Sequence, residues 1–177
     1  MPVIKHNIPE VQQYSLRKFS DHRGCFMESF PASWQEIFPP FVQDNFAVSQ
    51  KDVLRGMHFQ SPNPQAKLIW VSYGAIFDVA VDLRKGSSTF LEYVAFQLDD
   101  EDHNMLFIPE GFAHGYLVLS EKAHVHYKVS APYQLEASCS FMYNDPDVGI
   151  KWPVDHPILS EKDAKAPTAQ EALRLFS

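Results

Sequence analysis

The stretch Val53-Leu-Arg-Gly-Met-His-Phe-Gln60 packs Arg55, Gly56, His58 and Gln60 into six residues, with Gln65 and Lys67 close behind. A histidine among apolar neighbours is more often a core or surface residue than a catalyst. Here a cation and two amides crowd around it, and a polar lining inside a β-structure is costly unless it binds something. Strict strand alternation sets His58 and Gln60 on one face and Arg55 on the other, so Arg55 joins them only if a strand end or bulge re-aims it. His124-Val-His126 is a tempting metal pair, since i and i+2 share a strand face. The opposite face, with Val125, Tyr127 and Val129, is apolar and reads as inward, so the histidines are expected at solvent or a subunit contact. Tyr127 and Tyr133 read equally well as core tyrosines or as functional phenols. Asp163 falls in Ser160-x-x-Asp163, a helix-capping pattern that explains it without a catalytic role. Arg23 beside Gly24 could bind phosphate and Glu28 could accept a hydrogen bond, but a hairpin turn explains that segment as well.

These groups need a scaffold, and the signals point to strands. Phe77, Val79, Val81 and Leu83 alternate with Ile76, Asp78, Ala80 and Asp82, and Val125 to Val129 shows the same period of two. Phe90 to Leu98 and Met105 to Ile108 are further strand candidates. Turn residues separate them at 61–64, 84–88, 99–104 and 109–111. Helical signals are few: Ser33-Trp-Gln-Glu36 and Thr168-Ala-Gln-Glu171 read as capping boxes, the second opening a helix that runs to about Phe176. Many short strands with helices at the edges predict a sandwich or jelly roll.

With 177 residues, 45% of them apolar, the chain fits a single domain with a real core (1–177), carrying an N-terminal arm over about 1–30 and a C-terminal helix over about 168–177. Fifteen Lys and Arg against 22 Asp and Glu give a net charge of −7, which argues against nucleic-acid binding through bulk charge. Cys25 and Cys139 make neither a zinc spacing nor a disulfide framework and read as two buried free thiols. No secretory h-region or 18-residue apolar run is present, so no membrane association and a cytoplasmic location are expected.

Pro109-Glu-Gly111-Phe-Ala-His114 looks like the second short motif of the cupins. Metal-binding cupins supply His-x-His in the partner motif, whereas His58-Phe-Gln60 offers one histidine, leaving a metal site short of ligands. No metal and no cofactor are therefore expected. The wider set is Asp21-x-Arg23-Gly24-x-Phe26-x-Glu28, Gln43-x-Asn45, Arg55-Gly56-x-His58-x-Gln60, Gln65-x-Lys67, Asp78, Asp82-x-Arg84, Pro109 to Gly115, Tyr127 and Leu159-Ser-Glu-Lys-Asp163. In this order it closely resembles the dTDP-4-dehydrorhamnose 3,5-epimerase family, over residues 14 to 167.

The resemblance implies an all-β, cupin-type jelly-roll barrel, a homodimer with sites shared across its interface, and a dTDP-sugar substrate. It implies epimerisation of dTDP-4-dehydro-6-deoxy-D-glucose at C3 and C5 on the way to dTDP-L-rhamnose. It makes His58 the general base, Asp163 its partner, Tyr127 the acid on the opposite face of the sugar, and Lys67 the cation at the 4-keto oxygen. It places Arg55 and His114 near the sugar and phosphates, Gln43 and Asn45 on the substrate, and Tyr133 on the thymine. Arg23, Phe26 and Glu28 would reach the nucleotide, the arginine and glutamate across the dimer. The segment Leu135 to Tyr143 departs from the family's charged stretch, and the departure falls on the rim of the substrate pocket. Three other readings stand beside this one: a C3-only epimerase of a related 4-keto-deoxysugar nucleotide, a metal-dependent cupin, and a non-catalytic sugar-binding cupin.

Overall fold

The computed structural model describes residues 3–4 and 7–175. Along the chain come β1 (Val3–Ile4), β2 (Gln12–Ser15), and a hairpin of β3 (Lys18–Asp21) and β4 (Gly24–Met27). β5 (Gln43–Gln50), β6 (Leu54–Gln60), β7 (Lys67–Tyr73) and β8 (Ala75–Asp82) follow. Next are β9 (Tyr93–Asp99), β10 (Asn104–Ile108), β11 (Phe112–Val118), β12 (Lys122–Val129) and β13 (Ser138–Ser140). The α-helices are α1 (Glu161–Ala164) and α2 (Ala169–Leu175).

The strands pair antiparallel in a six-stranded sheet, ordered β1-β2-β10-β7-β12-β5, and a five-stranded sheet, ordered β13-β6-β11-β8-β9. Between the sheets, Ile69, Val71, Leu106 and Val125 of the first meet Ile76, Ala80, Phe112 and Val118 of the second. This is the all-β jelly roll of cupin type that the alternation and the resemblance led us to expect, with the sheets remaining two facing layers.

The outer faces are covered as well. Val79, Val81 and Leu83 turn away from the first core and pack under Phe141, Val148, Ile150 and two alanines of α2, Ala169 and Ala172. Across the molecule, Trp34 and Phe38 cover Tyr14, Leu68 and Met105 on the outside of the six-stranded sheet. Strands covered on both faces carry apolar residues in both phases, which is why β8 is almost wholly buried.

Turn chemistry fixes the ends of these strands. At the end of β8, Arg84 donates to both carboxylate oxygens of Asp82, while Ser87 and Thr89 donate to the same group. Burial alone would raise the Asp82 carboxyl, but these hydrogen bonds hold it far below the usual carboxylate range. Thr168 and Glu171 form the capping box expected for α2, with Thr168 N–H donating to Glu171 Oε2 at 2.9 Å and Glu171 N–H to Thr168 Oγ1 at 3.3 Å. The expected end of that helix near Phe176 lies outside the described residues.

Three expectations are corrected. The 33–36 segment is a 3-10 helix (Ala32–Glu36) whose N-cap is Pro31, with no side-chain cap. Proline occupies the capping position there, so Ser33 lies inside the first turn. The strand expected from Phe90 starts at Tyr93, because Phe90 to Glu92 are consumed by the turn that the Asp82 network anchors. Both cysteines are free, but only Cys139 is buried; Cys25 lies exposed in the β3–β4 hairpin.

Candidate active site

The backbone of β6 aims the site. Opposite it in β11, His114 pairs with His58 and Tyr116 with Arg55, so Gly56 and Met57 together face Gly115 alone. This bulge places Arg55 and His58, three apart, on the same cavity, as the alternation argument required. Gly56 permits it: its φ is +136°, and a Cβ there would stand 2.6 Å from the Gly115 Cα.

The cavity holds about 600 Å³ and opens between the two sheets. From the five-stranded sheet come Arg55 and His58; from the facing sheet come Gln43, Asn45, Lys67 and Tyr127. Cross-strand register explains the latter group. Gln43, Val129 and Lys67 form one row across β5, β12 and β7, and Asn45, Tyr127 and Ile69 form another. Tyr133 stands at the cavity from the loop after β12, more than half exposed, and Asp163 arrives on α1.

Asp163 sits there because Ser160 caps α1, its hydroxyl accepting from the Asp163 N–H at 3.1 Å. The carboxylate is left free and reaches His58 Nε2 at 2.6 Å. Burial alone would raise this carboxyl, but the His58 hydrogen bond and charge, together with Ser160 and the Gly56 backbone, hold it below its ordinary value. An anionic Asp163 fixes the tautomer with the proton on Nε2 and leaves Nδ1 as the nitrogen with a lone pair.

Lys67 is buried and has neither a salt bridge nor a side-chain hydrogen bond among the described residues. Burial pulls its pKa from the ordinary 10.5 to about 8, against the opposing charge of Asp78. Burial likewise raises the Tyr127 phenol, opposed by the charge of Arg55. Arg55 itself is steadied by a 3.0 Å hydrogen bond from Nε to Ser49 Oγ.

His114 does not line the cavity. It is buried beneath, with Nε2 2.9 Å from Asp78 Oδ2, and burial lowers its pKa in spite of that carboxylate. Arg23, Phe26 and Glu28 lie apart from the cavity in this chain: Arg23 is paired with Asp21 at the hairpin tip, and Phe26 is exposed. Sequence reasoning did not single out Lys162 or Ser138, which also line the cavity and bond to each other at 3.0 Å. Lys162 stood beside Asp163 in the motif, and its exposed position on a one-turn helix was the available signal. No group of three or more His, Cys, Asp or Glu that could hold a metal occurs among the described residues. None of the described helices is long and apolar enough to cross a membrane.

Comparison with known proteins identifies the family. The sequence model of the dTDP-4-dehydrorhamnose 3,5-epimerases matches residues 5–171. The enzyme of that name from Salmonella typhimurium is 45% identical, covering 98% of both chains. A Legionella pneumophila dTDP-6-deoxy-D-glucose-3,5-epimerase, solved with dTDP-4-keto-L-rhamnose, superposes with a TM-score of 0.90 at 44% identity, covering 94% of this chain and 92% of that one. A 3'-monoepimerase from Streptomyces bikiniensis, solved with dTDP-quinovose, reaches 0.89 at 36% identity, covering 97% and 89%. On the full-length match and the shared fold, the chain belongs to the dTDP-4-dehydrorhamnose 3,5-epimerase family.

Proposed function

We propose that the protein epimerises dTDP-4-dehydro-6-deoxy-D-glucose at C3 and C5, giving dTDP-4-dehydro-L-rhamnose. One observation carries the chemistry: the His58–Asp163 pair stands on one wall of the cavity, and Tyr127 and Lys67 stand on the facing sheet. C3 and C5 both flank the C4 ketone, so a proton on either is acidified by the same carbonyl. His58 Nδ1 takes that proton, and the C–H electron pair moves into an enolate. The charge arriving on the C4 oxygen is met by the Lys67 ammonium, a contact of the kind worth about 10²–10³ in rate. Tyr127 then returns a proton to carbon from the other side, inverting the centre, and its phenolate is reprotonated from solvent. Asp163 holds the imidazole in the required tautomer and balances the imidazolium once it forms.

In this reading Arg55 meets the sugar and phosphates, Gln43 and Asn45 contact the substrate, and Tyr133 offers a ring for the thymine. The reading includes a homodimer in which Arg23, Phe26 and Glu28 of one chain complete the nucleotide site of the other. Support comes from the exposed apolar surface: Phe19 and Phe26 on the hairpin, and Phe46, Val48 and Tyr73 on the outside of the six-stranded sheet. His124 and His126, expected at solvent or at a subunit contact, lie among these aromatics on the outer face. A dTDP-sugar is formed where nucleoside triphosphates are, so a cytoplasmic location belongs to the same reading.

Incubation with dTDP-4-dehydro-6-deoxyglucose in deuterium oxide, followed by proton NMR, tests it. Loss of both the C3 and C5 proton signals is expected. Loss at C3 alone would make the protein a monoepimerase, and no exchange at either carbon would sink the proposal.

A further inference from the structure

Four consecutive residues in the loop between β12 and β13 each have a main-chain group satisfied by a glutamine side chain. Gln65 Nε2 donates to the Ala131 carbonyl at 2.8 Å. Gln60 Nε2 donates to the Pro132 carbonyl at 3.3 Å, and its Oε1 accepts from the Gln134 N–H at 3.0 Å. Gln43 Oε1 accepts from the Tyr133 N–H at 3.1 Å. The glutamines reach the loop from β5, from β6 and from the connection before β7. Gln60 is buried, and its amide also donates to the Asn63 carbonyl at 2.7 Å, while Asn63 donates to the Gln134 side chain at 2.9 Å.

A glutamine amide carries donors and an acceptor on one planar group, so one side chain can fasten a carbonyl and an N–H together. An irregular loop without such partners turns its main-chain groups to water and samples several conformations. Gln43 uses its acceptor on the loop and donates from Nε2 to Asn45 Oδ1 at 2.7 Å, which leaves the Asn45 amide N–H groups for the cavity.

We propose that Gln43, Gln60 and Gln65 are positioning residues that hold residues 131–134 as a preformed platform, so that Tyr133 meets a flat nucleobase without reordering. This rests on the reading above, in which Tyr133 takes the thymine. Ordering a loop at the moment of binding weakens affinity; a loop ordered beforehand avoids that loss. The side-chain hydrogen bonds of these glutamines go to the loop, to Asn63 and to Asn45 and to none of His58, Tyr127, Lys67 or Asp163, so they act on substrate affinity and not on the proton transfers.

The test measures dTDP affinity by calorimetry, and KM and kcat by turnover, for Gln60→Glu, Gln65→Met and Tyr133→Ala. Gln60→Glu keeps the acceptor for Gln134 and removes both donors; Gln65→Met acts at a less buried position and guards against a folding failure in the first. Each glutamine variant is expected to weaken dTDP binding and raise KM about tenfold, with kcat kept. Combined with Tyr133→Ala, neither should weaken binding beyond Tyr133→Ala alone, because both act through the same ring. Additive losses, a fall in kcat with KM unchanged, or normal dTDP affinity in both glutamine variants would overturn the proposal. If Tyr133→Ala itself binds dTDP as tightly as the parent, the nucleobase reading fails, and the platform falls with it.

Discussion

In the proposed mechanism Lys67 must be charged to meet an enolate, yet burial favours its neutral form and brings its pKa to about 8. The folded value lies below the unfolded one, so between about pH 8 and 10.5 the unfolded chain holds more protons. The stability lost to burying this ammonium is therefore recovered as pH rises through that window. For activity the sign is opposite: the useful ammonium is lost above about 8. We expect kcat/KM to fall on an alkaline limb near that value. Asp78, on the facing sheet, is the charge that raises Lys67 against burial, and its Oδ1 is buried without a hydrogen bond. Asp78→Asn removes that charge with little change in shape, so the limb should move to lower pH. A uniform loss of kcat/KM with the limb in place would show that Asp78 serves packing alone. Asp163 illustrates how a residue's role escapes local pattern. The Ser160-x-x-Asp163 spacing explained its backbone correctly, while its carboxylate is bonded to a histidine 105 positions away.

The periods of β8 and β12 and all four turn clusters could be read from alternation and turn residues, because each depends on neighbours in sequence. Strand β6 could be read only in part: alternation separates Arg55 from His58, and the bulge that reunites them is made by β11 closing against Gly56. Gly56→Ala tests how much the site depends on this element. The residue has φ +136°, and the new methyl would meet the Gly115 backbone at 2.6 Å, where no flexible side chain can yield. Strain of this kind costs about 1–3 kcal/mol, so the melting temperature should fall by several degrees. Activity should fall further than stability, since Arg55 and His58 are re-aimed together. A variant with lowered melting temperature and full turnover would show that the bulge serves the fold and not the site. The 131–134 loop was not among the turns read from the sequence, and its three glutamine partners come from distant parts of the chain, so no spacing rule connects them.

At the scale of the whole molecule, the count and period of the strands narrowed the fold to a sandwich or jelly roll, the resemblance pointed to the jelly roll, and the outer layers were not legible. Phe141, Val148 and Ile150 read as scattered apolar residues until the fold lays them across β8. The hairpin poses the opposite question, because it places two large aromatics, Phe19 and Phe26, in solvent beside Arg23. A monomer gains nothing from that arrangement, whereas a symmetric dimer in which each hairpin serves the other chain's cavity does. Such sharing has an arithmetic consequence. On that proposal His58→Ala chains lack the base and Arg23→Ala chains lack the hairpin cation, so each homodimer should be poorly active. In a mixed dimer, one cavity carries both defects and the other carries neither. Random pairing of equal amounts makes about half the dimers mixed, each with one intact site of two, so about a quarter of wild-type activity should return in the mixture. Coexpression of differently tagged chains, with purification of the doubly tagged species, isolates the mixed dimers, which should then carry about half of wild-type activity. Activity that stays at the level of the two parents would mean that Arg23 serves its own chain's cavity or no cavity at all.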